Sequence, residues 1–295
     1  MEAVYDGSLA GLFAILDGVC RGGPLPDRVR LEVNPLGCLE DASPEDPAQR
    51  DLFEADEAGR PYPPEQAGSG ISYRSAKSRD AGGGAAKELF AASANACDDF
   101  IHGWMSEFPI AAELLRFAWK VIAAARAGGS GRPEGIRSPE ARLAAGRAAV
   151  DRGDPAVAAT LSAAFKVCRE IDRLRGLLRF APDSQGVYTA RCAPDHFVLP
   201  SLADHFFRRF GDTPWAIVDE KRRLALVCSV AGEPRLIRAS VPQDPSGGKA
   251  APLMPDAWTE LWRKYHRAIN NESRRNPALQ RQFMPVRYWK YLNEI

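Results

Sequence analysis

Trp215-Ala-Ile-Val-Asp-Glu-Lys-Arg-Arg-Leu-Ala-Leu-Val-Cys228 sets two short apolar runs on either side of five charged residues, Asp219 to Arg223. Runs of that length, bearing Ile and Val and joined by a polar turn, read as a β-hairpin. Upstream, Val187-Tyr-Thr-Ala-Arg-Cys192 alternates as a strand does, and downstream Leu236-Ile-Arg-Ala-Ser-Val241 adds a further strand. Most of the remaining chain has helical periodicity. The pattern therefore predicts an α+β fold, mostly helical, with a small antiparallel β-sheet in the C-terminal half.

The helical segments are bounded by recognisable signals. Ser8 is placed to cap a helix running to about Cys20, with Leu9, Leu12, Phe13 and Leu16 along one stripe. Ala-rich helices are expected over about Ala85–Trp104 and Ile110–Arg126. Ser138-Pro139 and Asp154-Pro155 both look like helix starts, a cap followed by proline in the first turn. The second of these opens a helix to about Leu178. Pro200–Phe210 is a shorter one, closed by Gly211. After a Pro/Gly linker from Pro242 to Pro252, a helix is expected over about Asp256–Asn270, then a short one capped by Asn276-Pro277 and a last one begun by Pro285.

Residues 24–85 interrupt this order. They carry Pro24-Leu-Pro, an acidic run from Glu40 to Glu57 with Arg50 as its one cation, Pro61-Tyr-Pro-Pro and Gly82-Gly-Gly. Such composition does not bury enough apolar surface to fold by itself. The expectation is a main α+β domain formed by 1–23 and 86–295, with 24–85 as an extended or partly disordered insertion.

The 295-residue chain is 45% hydrophobic and 26% charged, with a formal charge of +1. Those figures suit a globular protein and carry no overall signal of a polyanion ligand. The distribution of charge is more informative. From Trp258 to Tyr291 there are eight Lys and Arg residues against two acids. The first twenty residues contain one short apolar run flanked by Asp6 and Asp17, which predicts neither a leader peptide nor a membrane anchor. Cysteines 20, 38, 97, 168, 192 and 228 are scattered, without a Cys-x-x-Cys pair or a histidine at ligand spacing. Reduced thiols, a cytoplasmic setting and no bound metal or cofactor are expected.

No phosphate-binding glycine loop, nucleophile elbow or zinc helix occurs. Histidines 102, 196, 205 and 266 stand apart, although Asp195 and Asp204 adjoin two of them. A hydrolase using Asp195, His196, Asp219 or Glu170 stays open as an alternative, but no catalytic residue is assigned. Lys221 and Arg222 either cap a solvated hairpin tip or reach toward a phosphate. Arg179, ahead of Phe180, either closes the preceding helix through its dipole or pairs with an anion.

The closing stretch offers more. Arg281, Arg287 and Lys290 alternate with Asn276 and Gln282 and with Phe283, Tyr288, Trp289 and Tyr291. Cations suit phosphates, amides suit base edges and the strand, and rings suit base stacking. The plainer reading is that Phe283, Trp289 and Leu292 anchor the terminal helix in the core. The two proline-marked helix starts add free N–H groups as a possible phosphate site.

Several stretches together resemble a family of DNA-repair or DNA-metabolism proteins. They are Tyr5-Asp-Gly-Ser-Leu-x-Gly11, Lys166-Val-x-x-Glu170 with Gly176-Leu-Leu-Arg-Phe180, His205-Phe-x-x-Arg-Phe210, Trp215-x-Ile-x-Asp-x-Lys-Arg222, and the long ending Asn276-Pro-x-Leu-Gln-Arg-Gln-x-Met-Pro-x-Arg-Tyr-Trp-Lys-Tyr291. Members are similar to a domain fused in front of uracil-DNA glycosylases. Stand-alone members accompany a radical S-adenosylmethionine protein related to DNA photoproduct lyases. The resemblance implies a non-catalytic DNA-binding accessory that presents DNA to such a partner, with any iron–sulfur cluster held by the partner. An adaptor for the radical enzyme is the second reading. The chain departs from the fused form in ending at Ile295 without a glycosylase domain, and from compact members in its 24–85 insertion.

Overall fold

The computed structural model describes residues 2–5, 7–31, 71–72, 84–129, 136–182, 186–230, 232–239 and 257–292. The chain divides into two units, one made of 1–40, 74–169 and 195–197, the other of 41–73, 170–194 and 198–295.

The first unit is helical. Strand β1 (Glu2–Tyr5) pairs in parallel with β2 (Arg28–Leu31), and helix α1 (Leu9–Cys20) lies between them in sequence. The Ser8 hydroxyl accepts the Gly11 N–H at 2.8 Å, as its capping role requires. The helix expected over 85–104 is divided into α2 (Gly84–Ala92) and α3 (Ala94–Met105). Ser93 takes extended backbone there and accepts the Ala96 N–H, so a side-chain cap replaces helix continuation.

Helices α4 (Ala111–Gly128) and α5 (Pro139–Val150) pack through small residues, and α6 (Pro155–Leu177) begins at the expected Asp154-Pro155 start. A Cβ placed on Gly128 would come within 2.9 Å of Ala144 Cβ, so the two backbones approach as closely as glycine allows. Leu12, Leu16, Leu89, Phe100, Leu115 and Phe117 are fully buried in one cluster, with the rings of Phe13 and Phe100 4.9 Å apart.

The second unit is built on a sheet with the order β3 (Ile71–Ser72), β8 (Arg235–Arg238), β7 (Leu224–Cys228), β6 (Trp215–Asp219), β5 (Tyr188–Cys192) and β4 (Ala181–Pro182). The hairpin is present, with Trp215 opposite Cys228 and Asp219 opposite Leu224. Every neighbouring pair is antiparallel except β5–β6, which run in parallel with Tyr188 opposite Trp215. A parallel pair needs a crossover, supplied by helix α7 (Leu199–Phe210). Gly211, at φ +57°, ends that helix.

All five residues of β6 are buried. That explains why residues 215–218 are a continuous apolar run where a one-sided strand would alternate. Phe180, Phe206, Phe210 and Trp215 gather their rings on one side, with centroids 4.7 to 6.4 Å apart in the contacting pairs. The fold is thus α+β and mostly helical, as expected, with two parallel pairings, β1–β2 and β5–β6, that the sequence pattern did not announce. Of the stretch expected as an insertion, Arg28–Leu31 and Ile71–Ser72 form strands; 32–70 and 73–83 lie outside the described residues.

Candidate nucleic-acid interface

In the second unit the closing stretch forms helix α8 (Ala257–Ile269), a 3-10 turn at Glu272–Arg274, helix α9 (Pro277–Phe283) and a 3-10 helix at Val286–Tyr291. The last of these is the helix expected after Pro285, in 3-10 form. In a 3-10 helix residues three apart lie one above the other. Tyr288 and Tyr291 therefore share a face, and each meets a carboxylate.

Tyr288 is 2% exposed, and its hydroxyl donates to Glu170 Oε1 at 2.5 Å. Arg287 Nη2 donates to the same oxygen at 3.2 Å and to the Tyr288 hydroxyl oxygen at 3.1 Å, its guanidinium lying over the Tyr288 ring. Tyr291 donates its hydroxyl proton to Glu220 Oε2 at 2.6 Å. Lys290 Nζ and Arg191 Nη1 stand 3.4 and 3.7 Å from Glu220 carboxylate oxygens. Burial, and then the carboxylate each one faces, hold both phenols well above their ordinary pKa of 10. Trp289 donates its indole N–H to Met284 O at 2.8 Å, and Leu292 is buried.

The turn at the end of β6 is equally occupied. Asp219 and Arg222 are both buried and paired at 2.7 Å, and Arg222 Nη1 also donates to Pro194 O. Asp219 Oδ1 accepts the backbone N–H groups of Lys221 and Arg222, which folds the turn around one carboxylate. Burial raises the Asp219 pKa and the contacts from Arg222 oppose that rise. The buried Cys192 thiol is pushed well up by burial and then by Asp219, Glu170 and Glu220.

This geometry sorts the residues singled out in the sequence. Arg222, one candidate for reaching a phosphate, is buried in its ion pair, while Lys221 beside it is exposed. Tyr288, one candidate for stacking on a base, is buried and serves as an anchor. Asn276 is exposed and spends its side-chain oxygen on the Leu279 N–H, capping a helix of seven residues. Arg179 Nη1 donates to Gly176 O at 2.8 Å, the helix-closing arrangement, and its guanidinium lies 6.0 Å from the Trp262 ring centroid. Arg281, Gln282, Arg287 and Lys290 have exposed side chains, with the Gln282 carbonyl accepting from Arg173 at 3.3 Å.

Two features escaped the sequence reading. Glu170 and Glu220 act as acceptors for the closing tyrosines, at a sequence distance that no local pattern signals. Helix α8 exposes Trp262 and Tyr265, at 40% and 51%, with Leu261 and Ile269 beside them. That stripe was visible in the spacing of Leu261, Tyr265 and Ile269, had the helix been read for an outward apolar face.

Among the described residues no three His, Cys, Asp or Glu side chains are placed to hold a metal, and no helix is long and apolar enough to cross a membrane.

A family model described as a domain of unknown function, DUF4130, matches residues 141–294, just over half of the chain. At the level of the family this is consistent with the resemblance carried by the closing motif. No curated protein and no solved structure matches the chain.

Proposed function

Taking as premise that this chain belongs to the DUF4130 family, we propose that it is a non-catalytic DNA-binding accessory protein in DNA repair or modification. It presents DNA to a partner, a radical S-adenosylmethionine enzyme or a uracil-DNA glycosylase. The observation that carries this reading is the exposed, cation-rich closing stretch. Eight Lys and Arg residues face two acids between Trp258 and Tyr291, and Lys264, Arg267, Arg274 and Arg281 among them are exposed. A surface of that kind gains affinity by releasing counterions from a phosphate backbone. The partner classes come from the resemblance of the motifs, which the family match supports only coarsely.

Two carboxylates considered for hydrolysis, Glu170 and Asp219, are buried and engaged by Tyr288 and Arg287 in one case and Arg222 in the other. His196 is buried, with Nδ1 2.6 Å from Ser106 O. These groups hold structure, which favours the accessory reading over the enzymatic one.

The test is titration of the purified chain against single-stranded, duplex and uracil-containing DNA over a salt series. The expected outcome is binding at low salt that weakens linearly on a log–log plot. Absence of binding at low salt would remove the reading. An adaptor role has one observation in its favour, the exposed apolar residues Leu279 and Phe283 on α9. A stable complex with the radical enzyme, formed by a chain with no DNA affinity, would select that role instead.

A further inference from the structure

We propose that the outward face of α8 is a stacking platform for unpaired bases, so that the DNA form held by this chain is single-stranded or locally opened. The inference rests on the DNA-binding reading and names the substrate form. Trp262 and Tyr265 are three residues apart on the helix, with ring centroids 5.8 Å apart and planes tilted by 36°. His266 lies 6.5 Å from Trp262, which extends the aromatic surface along the helix. Both larger rings are exposed, whereas Tyr288, one of the rings the sequence put forward for stacking, is buried.

The surroundings of these rings decide the occupant. Between Ala257 and Ile269 there are three cations, Arg263, Lys264 and Arg267, against one acid, Glu260. Arg179 approaches the Trp262 ring from outside the helix. An apolar stripe with that charge balance complements a polyanion carrying flat rings. In duplex DNA the base faces are stacked on one another, so aromatic side chains gain contact only where bases are unstacked; on single strands they gain it at every base. Leu261 and Ile269 continue the apolar surface past the rings.

The experiment uses the full-length chain, a labelled oligothymidylate and a duplex of equal length, with affinities read by fluorescence anisotropy. Trp262→Ala with Tyr265→Ala weakens oligothymidylate binding by about tenfold or more and leaves duplex binding within about twofold. Trp262→Phe with Tyr265→Phe retains most of the single-strand affinity, because a phenyl face still stacks. Circular dichroism of both variants matches the wild type, since the substituted side chains are exposed.

Unchanged oligothymidylate affinity in the alanine variant overturns the inference. If Arg274→Ala with Arg281→Ala still weakens binding in that case, the DNA-binding reading survives without it. If the alanine variant instead changes sedimentation mass at unaltered DNA affinity, the face joins protein chains and the inference falls. A wild-type chain that binds neither nucleic acid removes both.

Discussion

Asn276–Phe283 and Val286–Tyr291 are made of the same kinds of residue, cations and aromatic rings, yet they are held in different ways. In the first, Phe283 is 65% exposed and Arg281 and Gln282 point outward. In the second, Tyr288 is 2% exposed and two tyrosines are fastened to carboxylates that lie far away in sequence. The contrast shows that composition marks a candidate interface without saying which residues build it and which present it. The fastened half is held by those two carboxylates, whereas Arg274 and Arg281 beside the other half have exposed side chains.

The contrast breaks most severely when the anchor is removed. Glu170→Ala removes the carboxylate that accepts from both Tyr288 and Arg287. Loss of one partner from a fully buried pair costs about 3–5 kcal/mol, and Arg287 can turn to water, so about 2–3 kcal/mol is expected. Urea unfolding measures that loss, and limited proteolysis should show earlier cleavage within 284–292.

Tyr288→Phe keeps the ring and deletes only the hydroxyl, which predicts a smaller loss of about 1–2 kcal/mol in the same assay. The anchoring also predicts an alkaline transition. Because the folded phenols titrate above 10, the stability they contribute is fully present below pH 10 and declines as pH rises beyond it. Unfolding followed from pH 9 upward should show the decline, and it should be shallower in the double variant Tyr288→Phe with Tyr291→Phe. The exposed half is predicted to be nearly silent: Phe283→Ser changes stability by no more than about 0.5 kcal/mol. A large loss there would mean that the two halves do not differ as described.

Much of this was legible in the residues. The charged run between Val218 and Leu224 marks a hairpin because both flanking runs are short and apolar, and the hairpin makes the fold α+β. The excess of cations after Trp258 needs only counting. The parallel pairing of β5 with β6 was not legible, because side-chain alternation does not encode strand direction. The division at Ser93 was hidden between two Ala-rich helices of similar propensity. The fate of Tyr288 depended on the 3-10 form of the last helix, which the proline start does not specify, and on Glu170, 118 residues earlier. Burial set by such long-range contacts leaves no local trace. The same limit applied to Arg222, which reads as a surface cation and is buried against Asp219.

The measurement that bears most directly on DNA contact through the exposed cations is the salt dependence of binding with Arg274→Ala and Arg281→Ala combined. Both side chains are exposed, so the fold is expected to persist. Losing two phosphate contacts should flatten the slope of log affinity against log salt by about 1.4 to 1.8 units. A slope equal to that of the wild type would contradict the account.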